Sequence, residues 1–394
     1  MPLPLYLLAM AVFAMGTSEF MLAGLLPDIA SDLDVTVGTA GMLTPAFALG
    51  MIVGAPLAAA LARGWPRRTG LLGFVVTFAA AHAVGALTTS FPVLFAARIV
   101  AALANAGFLA VALTAAAALV PPDRKGRALA VLLSGTTAAT IAGVPGGSVL
   151  GTLLGWRATF WVVAALCLPA ALGILKGIAA GSAQEGTTTG PTLRAELARL
   201  AGPRLLQVMA LGALVNAATF ASFTFLAPVV TDDAGLDEWW ISVVLVLFGA
   251  GSLTGVTVAG RLSDRRPGPV IAAGGPLLLA GWPALALLAD APPALFTLVF
   301  VQGALSFALG STLITRVLYE AAGAPTMAGS YATAALNVGA AVGPLVAAST
   351  LDTPAGSLGP LWASGALVAA ALLVAVPFRA VLTTTGRGAE ETLM

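Results

Sequence analysis

The feature that most constrains this chain is a recurrence of long apolar segments separated by short polar breaks. The first sets the scale, for the stretch Pro4 to Pro27 runs 24 residues with Glu19 as its only charge. As a helix it is about 36 Å long, enough to cross a hydrocarbon core of roughly 30 Å. The segments fall at residues 5–27, 38–62, 69–89, 92–119, 127–153, 159–177, 204–230, 239–260, 269–289, 292–315, 327–350 and 358–379. They predict an all-α membrane protein of twelve transmembrane helices, since a helix satisfies its own backbone hydrogen bonds in lipid. Charge content agrees: 9% of the 394 residues are charged, against about 25% in soluble domains. The 45 glycines suit helices whose backbones approach closely.

The same counts exclude several function classes. A net charge of +1 offers no electrostatic footprint for nucleic acid. With one cysteine, Cys167, and one histidine, His82, the chain has no internal disulfide framework and no cysteine-histidine metal site. There is no Walker loop, no His-Glu-x-x-His and no credible Ser-His-Asp set, so an enzyme is not expected. The N-terminus lacks the basic region of a signal peptide and its apolar segment is too long, so it reads as a retained span.

The polar breaks carry orientation. Sixteen of the 18 Lys and Arg follow even-numbered segments or the last one, on the side that holds both termini. By the positive-inside rule that side is the cytoplasm. The longest break contains Gly181 to Pro191 and reads as a flexible cytoplasmic linker, 178–203, between two six-helix bundles, 1–177 and 204–394. Internal similarity supports two related halves. Gly54 to Arg68 has a counterpart in Gly255 to Arg266, and Gly143-Val144-Pro145 in Gly343-Pro344, each about 200 residues on.

Particular motifs carry a resemblance. Gly260-Arg261-Leu262-Ser263-Asp264-Arg265-Arg266 is similar to the cytoplasmic loop motif of the major facilitator superfamily. Leu94 to Arg98 resembles its buried-arginine motif, with Ala101 and Ala102 where Gln and Gly are usual. Gly135, Gly143, Pro145, Gly146 and Gly147 resemble the glycine-proline motif of the drug:proton antiporters, with altered spacing. The loop Ala62 to Arg68 departs, lacking the usual Asp. Gly16 to Phe20, Leu25 to Ala30, Leu103 to Phe108 and Gly155 to Trp161 resemble actinobacterial chloramphenicol resistance proteins and their arabinose-exporter relatives.

The resemblance implies the major facilitator fold of two pseudo-symmetric six-helix bundles. It implies a monomeric, multi-pass protein of the bacterial cytoplasmic membrane that exports chloramphenicol, a small neutral drug, in exchange for protons by alternating access. The proton gradient is then the energy source and no cofactor is needed. A sugar or nucleoside exporter of the same fold is the alternative.

Within that frame Glu19 and Arg98 are the expected proton-coupling pair. Each lies about 10–12 Å below the same end of its helix, and the resembled fold sets segments one, four, seven and ten around a central cavity. A fixed ion pair fastening two helices is the other reading. Asp28, beside Pro27, is either a proton-entry group or a solvated helix-end acid. His82 reads as a neutral packing histidine. Phe20, Asn105, Phe108, Asn216, Phe220, Phe223 and Gln302 form the expected drug site, amides on an aromatic wall, although each amide can instead bridge two helices. Gly260, Asp264 and Arg265, with Gly135, Gly143, Pro145 and Gly146, are the expected conformational motifs.

Overall fold

The computed structural model describes residues 2–61, 65–121, 125–178, 202–263, 267–321 and 328–375, and those residues form helices and turns with no strand among them. Twelve of the helices are long and apolar enough to cross a membrane, from Leu3–Gly24 to Gly356–Ala375. In the first half the elements are α1 (Leu3–Phe20), α2 (Leu26–Asp32), α3 (Val37–Gly41), α4 (Leu43–Leu61), α5 (Arg67–Leu87), α6 (Phe91–Ala118), α7 (Lys125–Ala138), α8 (Val144–Leu154) and α9 (Trp156–Gly177). Exposed Trp65, Trp161, Trp239, Trp240 and Trp362 sit at or near helix starts, where an amphipathic ring meets the membrane–water boundary.

The first span is not one continuous helix. Instead of running to Pro27, α1 ends at Phe20, a tight turn covers Met21–Gly24, and α2 restarts with Pro27 in its first turn. Proline has no N–H to give and its ring clashes with the carbonyl four residues back, so it opens a helix rather than continuing one. Glu19 thereby moves from mid-helix to the last turn of α1.

The fifth span is also interrupted, by a wide turn at Ala139–Gly143 that joins α7 to α8 ahead of Pro145. This turn packs on α1. A Cβ at Gly135 would collide with the Ala9 carbonyl, and one at Gly143 with Thr17 Oγ1, so hydrogen at these positions lets the two backbones approach. Gly146, by contrast, faces open space. Gly155, at φ 81°, makes the sharp junction between α8 and α9 that side-chain-bearing residues rarely adopt.

Packing repeats the two-fold pattern expected from the sequence. Gly50 and Gly54 of α4 pack against the α6 backbone at Ile99 and Leu103. About 200 residues later Gly251 and Gly255 meet the backbone of Phe300 and Ala304 in the same manner. Likewise Gly143 meets Thr17, and Gly343 meets Ala217.

By contacts the chain divides into one unit of residues 1–189 with 238–246 and another of 190–237 with 247–394. The first unit gains residues 238–246 relative to a division in chain order, and there Ser242 Oγ donates to Ser148 Oγ at 3.0 Å. At one end of this unit Asp32 accepts from Trp156 Nε1 at 3.0 Å and pairs with Arg157. Arg157 Nη2 also donates to the Thr88 carbonyl at 3.0 Å, tying α2 and the end of α5 to the start of α9.

Candidate functional site

Arg98 is the most deeply buried charge among the described residues, 1% exposed and about two turns into the apolar α6. An isolated guanidinium in such surroundings is costly, so its partners define the site. Its Nη1 donates to Ser18 Oγ at 2.7 Å, and its Cζ lies over the Phe47 ring of α4, 4.4 Å from the centroid. Ser18 Oγ is also 2.6 Å from His82 Nε2, and His82 Nδ1 lies 2.8 Å from the Phe78 carbonyl.

These distances fix the proton positions. A carbonyl only accepts, so His82 Nδ1 carries the hydrogen; in a neutral ring Nε2 then accepts from Ser18, whose oxygen accepts from Arg98. The imidazole is clasped by Phe78 and Phe160, with ring centroids 4.2 and 5.6 Å away. His82 is therefore packed and hydrogen-bonded, and it is also one end of a relay that reaches Arg98.

Glu19 follows Ser18 in the chain and is half-buried in the last turn of α1. The Arg98 charge acts on it, yet the pair makes no ion pair within 4.0 Å; among the described residues that contact is Arg157 with Asp32. Arg98 Nε and Nη2 are buried without an acceptor among the described residues. The site thus holds an acid and a base side by side, neither neutralised by direct contact with the other.

Asn105 lies seven residues beyond Arg98 on α6, within about 20° of the same face. It is buried at 7% exposure, and its carboxamide makes no hydrogen bond among the described residues. Phe20 is half-buried at the end of α1, whereas Phe108 is fully buried in the core. Asp28 is half-exposed in the first turn of α2, and burial followed by the charge of Glu238 raises its carboxyl above the usual aspartate value.

The second unit holds the other named residues. Asn216 Nδ2 donates to the Leu336 carbonyl at 2.7 Å and Gln302 Nε2 to the Leu278 carbonyl at 3.2 Å, so both amides bridge neighbouring helices. Phe220 and Phe223 belong to an aromatic cluster that continues through Phe248, 4.8 Å from Phe223, to Phe307. Gly260 lies on the helix Trp239–Ser263, and Asp264 and Arg265 lie outside the described residues.

Sequence reasoning missed Ser18, Phe47, Phe248 and Phe307. Ser18 had a signal, a hydroxyl next to the one acid of an apolar span. The phenylalanines had none, because nothing in a helical period distinguishes a cluster member from a lipid-facing ring.

The Major Facilitator Superfamily pattern matches residues 8–333 of this chain. The chain belongs to the major facilitator superfamily. Among superfamily relatives it is 80% identical over 384 residues to the chloramphenicol resistance protein of Streptomyces lividans, covering 98% of each chain. It is 31% identical to the inner membrane transport protein YdhP of Escherichia coli strain K12, covering 95% of each. Solved structures share the fold at low identity. A bacterial homologue of the human lysosomal transporter Spinster matches with a TM-score of 0.75 at 16% identity, over 96% of both chains. A D-xylose-proton symporter matches with 0.71 at 15%, over 94% of this chain and 96% of that one. As a superfamily member whose described residues include twelve helices long and apolar enough to cross a membrane, the protein is a multi-pass membrane transporter.

Proposed function

We propose that this chain exports chloramphenicol across the bacterial cytoplasmic membrane in exchange for protons, as a monomer working by alternating access, with both termini in the cytoplasm. The observation that carries the reading is its 80% identity, over 98% of both chains, to a chloramphenicol resistance protein. The side of the termini rests on the distribution of Lys and Arg.

Glu19 is the proton-exchanging group in this reading. It is a carboxyl at the end of α1, half-buried, under the influence of a cation yet without an ion pair among the described residues. Such an acid binds and releases a proton as its surroundings alternate between buried and wet, whereas a locked salt bridge holds it ionised. Asp28, half-exposed on α2, is the entry group. Asn105, buried and without a hydrogen bond among the described residues, offers a donor and an acceptor to a neutral drug, and Phe20 an apolar face. Phe220 and Phe223, with Phe248, supply aromatic surface in the other unit. The bonds made by Asn216 and Gln302 favour helix bridging for those two amides.

Energised cells expressing the chain should accumulate less chloramphenicol than cells without it, and collapsing the proton gradient should remove the difference. Unchanged chloramphenicol accumulation alongside expulsion of arabinose or a nucleoside would replace this reading with that of a sugar or nucleoside exporter.

A further inference from the structure

We infer that His82, acting through Ser18, is a positioning residue that holds Arg98 out of an ion pair with Glu19; this rests on the reading of Glu19 as the proton-exchanging group. A guanidinium beside a carboxylate in an apolar interior ordinarily forms a short, often bidentate pair, because the low dielectric strengthens the attraction. Here Ser18 and Glu19 are adjacent in the chain, and Arg98 bonds to the serine.

The direction of the relay explains the preference. The Phe78 carbonyl fixes the hydrogen on His82 Nδ1, which leaves Nε2 as an acceptor 2.6 Å from Ser18 Oγ. The Ser18 hydrogen is committed to His82, so its oxygen lone pairs face Arg98 Nη1 at 2.7 Å. The Phe47 ring of α4 meets the guanidinium from another side, with Cζ 4.4 Å from its centroid. Among the described residues the titratable groups that act on this cluster are Glu19 on α1, His82 on α5 and Arg98 on α6, while α4 and α9 contribute Phe47 and Phe160.

Without the imidazole acceptor the Ser18 hydroxyl is free to turn to the carbonyl one turn back, the ordinary option for a helical serine. That bond draws Oγ into a rotamer away from Arg98, so Nη1 joins Nε and Nη2, already without acceptors among the described residues, and the Glu19 carboxylate becomes the acceptor at hand. An ion pair favours the ionised acid, so proton uptake would demand a more acidic solution.

The test measures chloramphenicol/proton exchange against pH with the full-length chain in proteoliposomes, recording folded yield and melting temperature for each variant. His82→Phe keeps the aromatic packing and removes the acceptor, Ser18→Ala removes the relay, and His82→Gln restores a carboxamide oxygen near the Nε2 position. The first two should move the half-maximal pH acidward by about one unit, tenfold in proton concentration, and His82→Gln should return it to the wild-type value. A His82→Phe profile with the wild-type midpoint and only lower amplitude would overturn the inference, as would His82→Gln behaving like His82→Phe. If instead wild-type exchange is independent of pH and Glu19→Gln matches it, the proton reading itself has failed and this inference falls with it.

Discussion

Arg98 Nη1 donates to Ser18 Oγ at 2.7 Å, and the next residue, Glu19, makes no ion pair among the described residues. The buried cation is thus stabilised by a hydroxyl and by the face of Phe47, both uncharged. Its charge still acts on Glu19 without cancelling it.

Arg98→Lys should reduce efflux at least about tenfold even though charge is conserved. A planar guanidinium bonds at its edge while lying flat on a ring, and a lysine ammonium on a flexible stem does not do both at once. Drug accumulation in cells matched for protein level checks this; accumulation equal to wild type would show that charge alone suffices.

The glycines of the fifth span predict a contrast between near neighbours. Gly143→Val puts a branched side chain into the space of Thr17 Oγ1 and should cost about 1–3 kcal/mol, the usual range for overpacking, with lower folded yield. Gly146→Ala enters open space and should leave the melting temperature in detergent unchanged.

Asp28 predicts a pH dependence of stability. Its folded carboxyl binds a proton more tightly than the unfolded one, raised by burial and then by Glu238. The stability it contributes is therefore present at acid pH and is lost as pH rises through the raised folded value. Asp28→Asn mimics the protonated form, so its melting temperature should fall less than that of wild type as pH rises above the ordinary aspartate value of about 4. A variant whose curve parallels wild type over that rise would contradict this account.

These residues also show what a sequence discloses. The twelve spans were legible because an apolar run of that length has one stable form in lipid, whereas the expected depth of Glu19 was counted along an unbroken helix to Pro27, which the turn at Met21–Gly24 interrupts. The break of α1 after Phe20 was within reach, since Pro27 and Gly24 were plain in the sequence, but their effect depended on what packs there. The relay through Ser18 and His82 was not legible, because it depends on the rotation of three helices about their axes. The same holds for Gln302: burying an amide demands a partner, yet only packing decides that the partner is the Leu278 carbonyl.

The central claim is that Glu19 exchanges the proton that drives export, and gradient-driven chloramphenicol transport by Glu19→Gln in proteoliposomes tests it most directly. Glutamine keeps the size and hydrogen-bonding capacity of the side chain but cannot titrate. The account predicts that transport driven by a pH gradient falls at least about tenfold while folded yield and melting temperature hold; transport equal to wild type under the same gradient would contradict it.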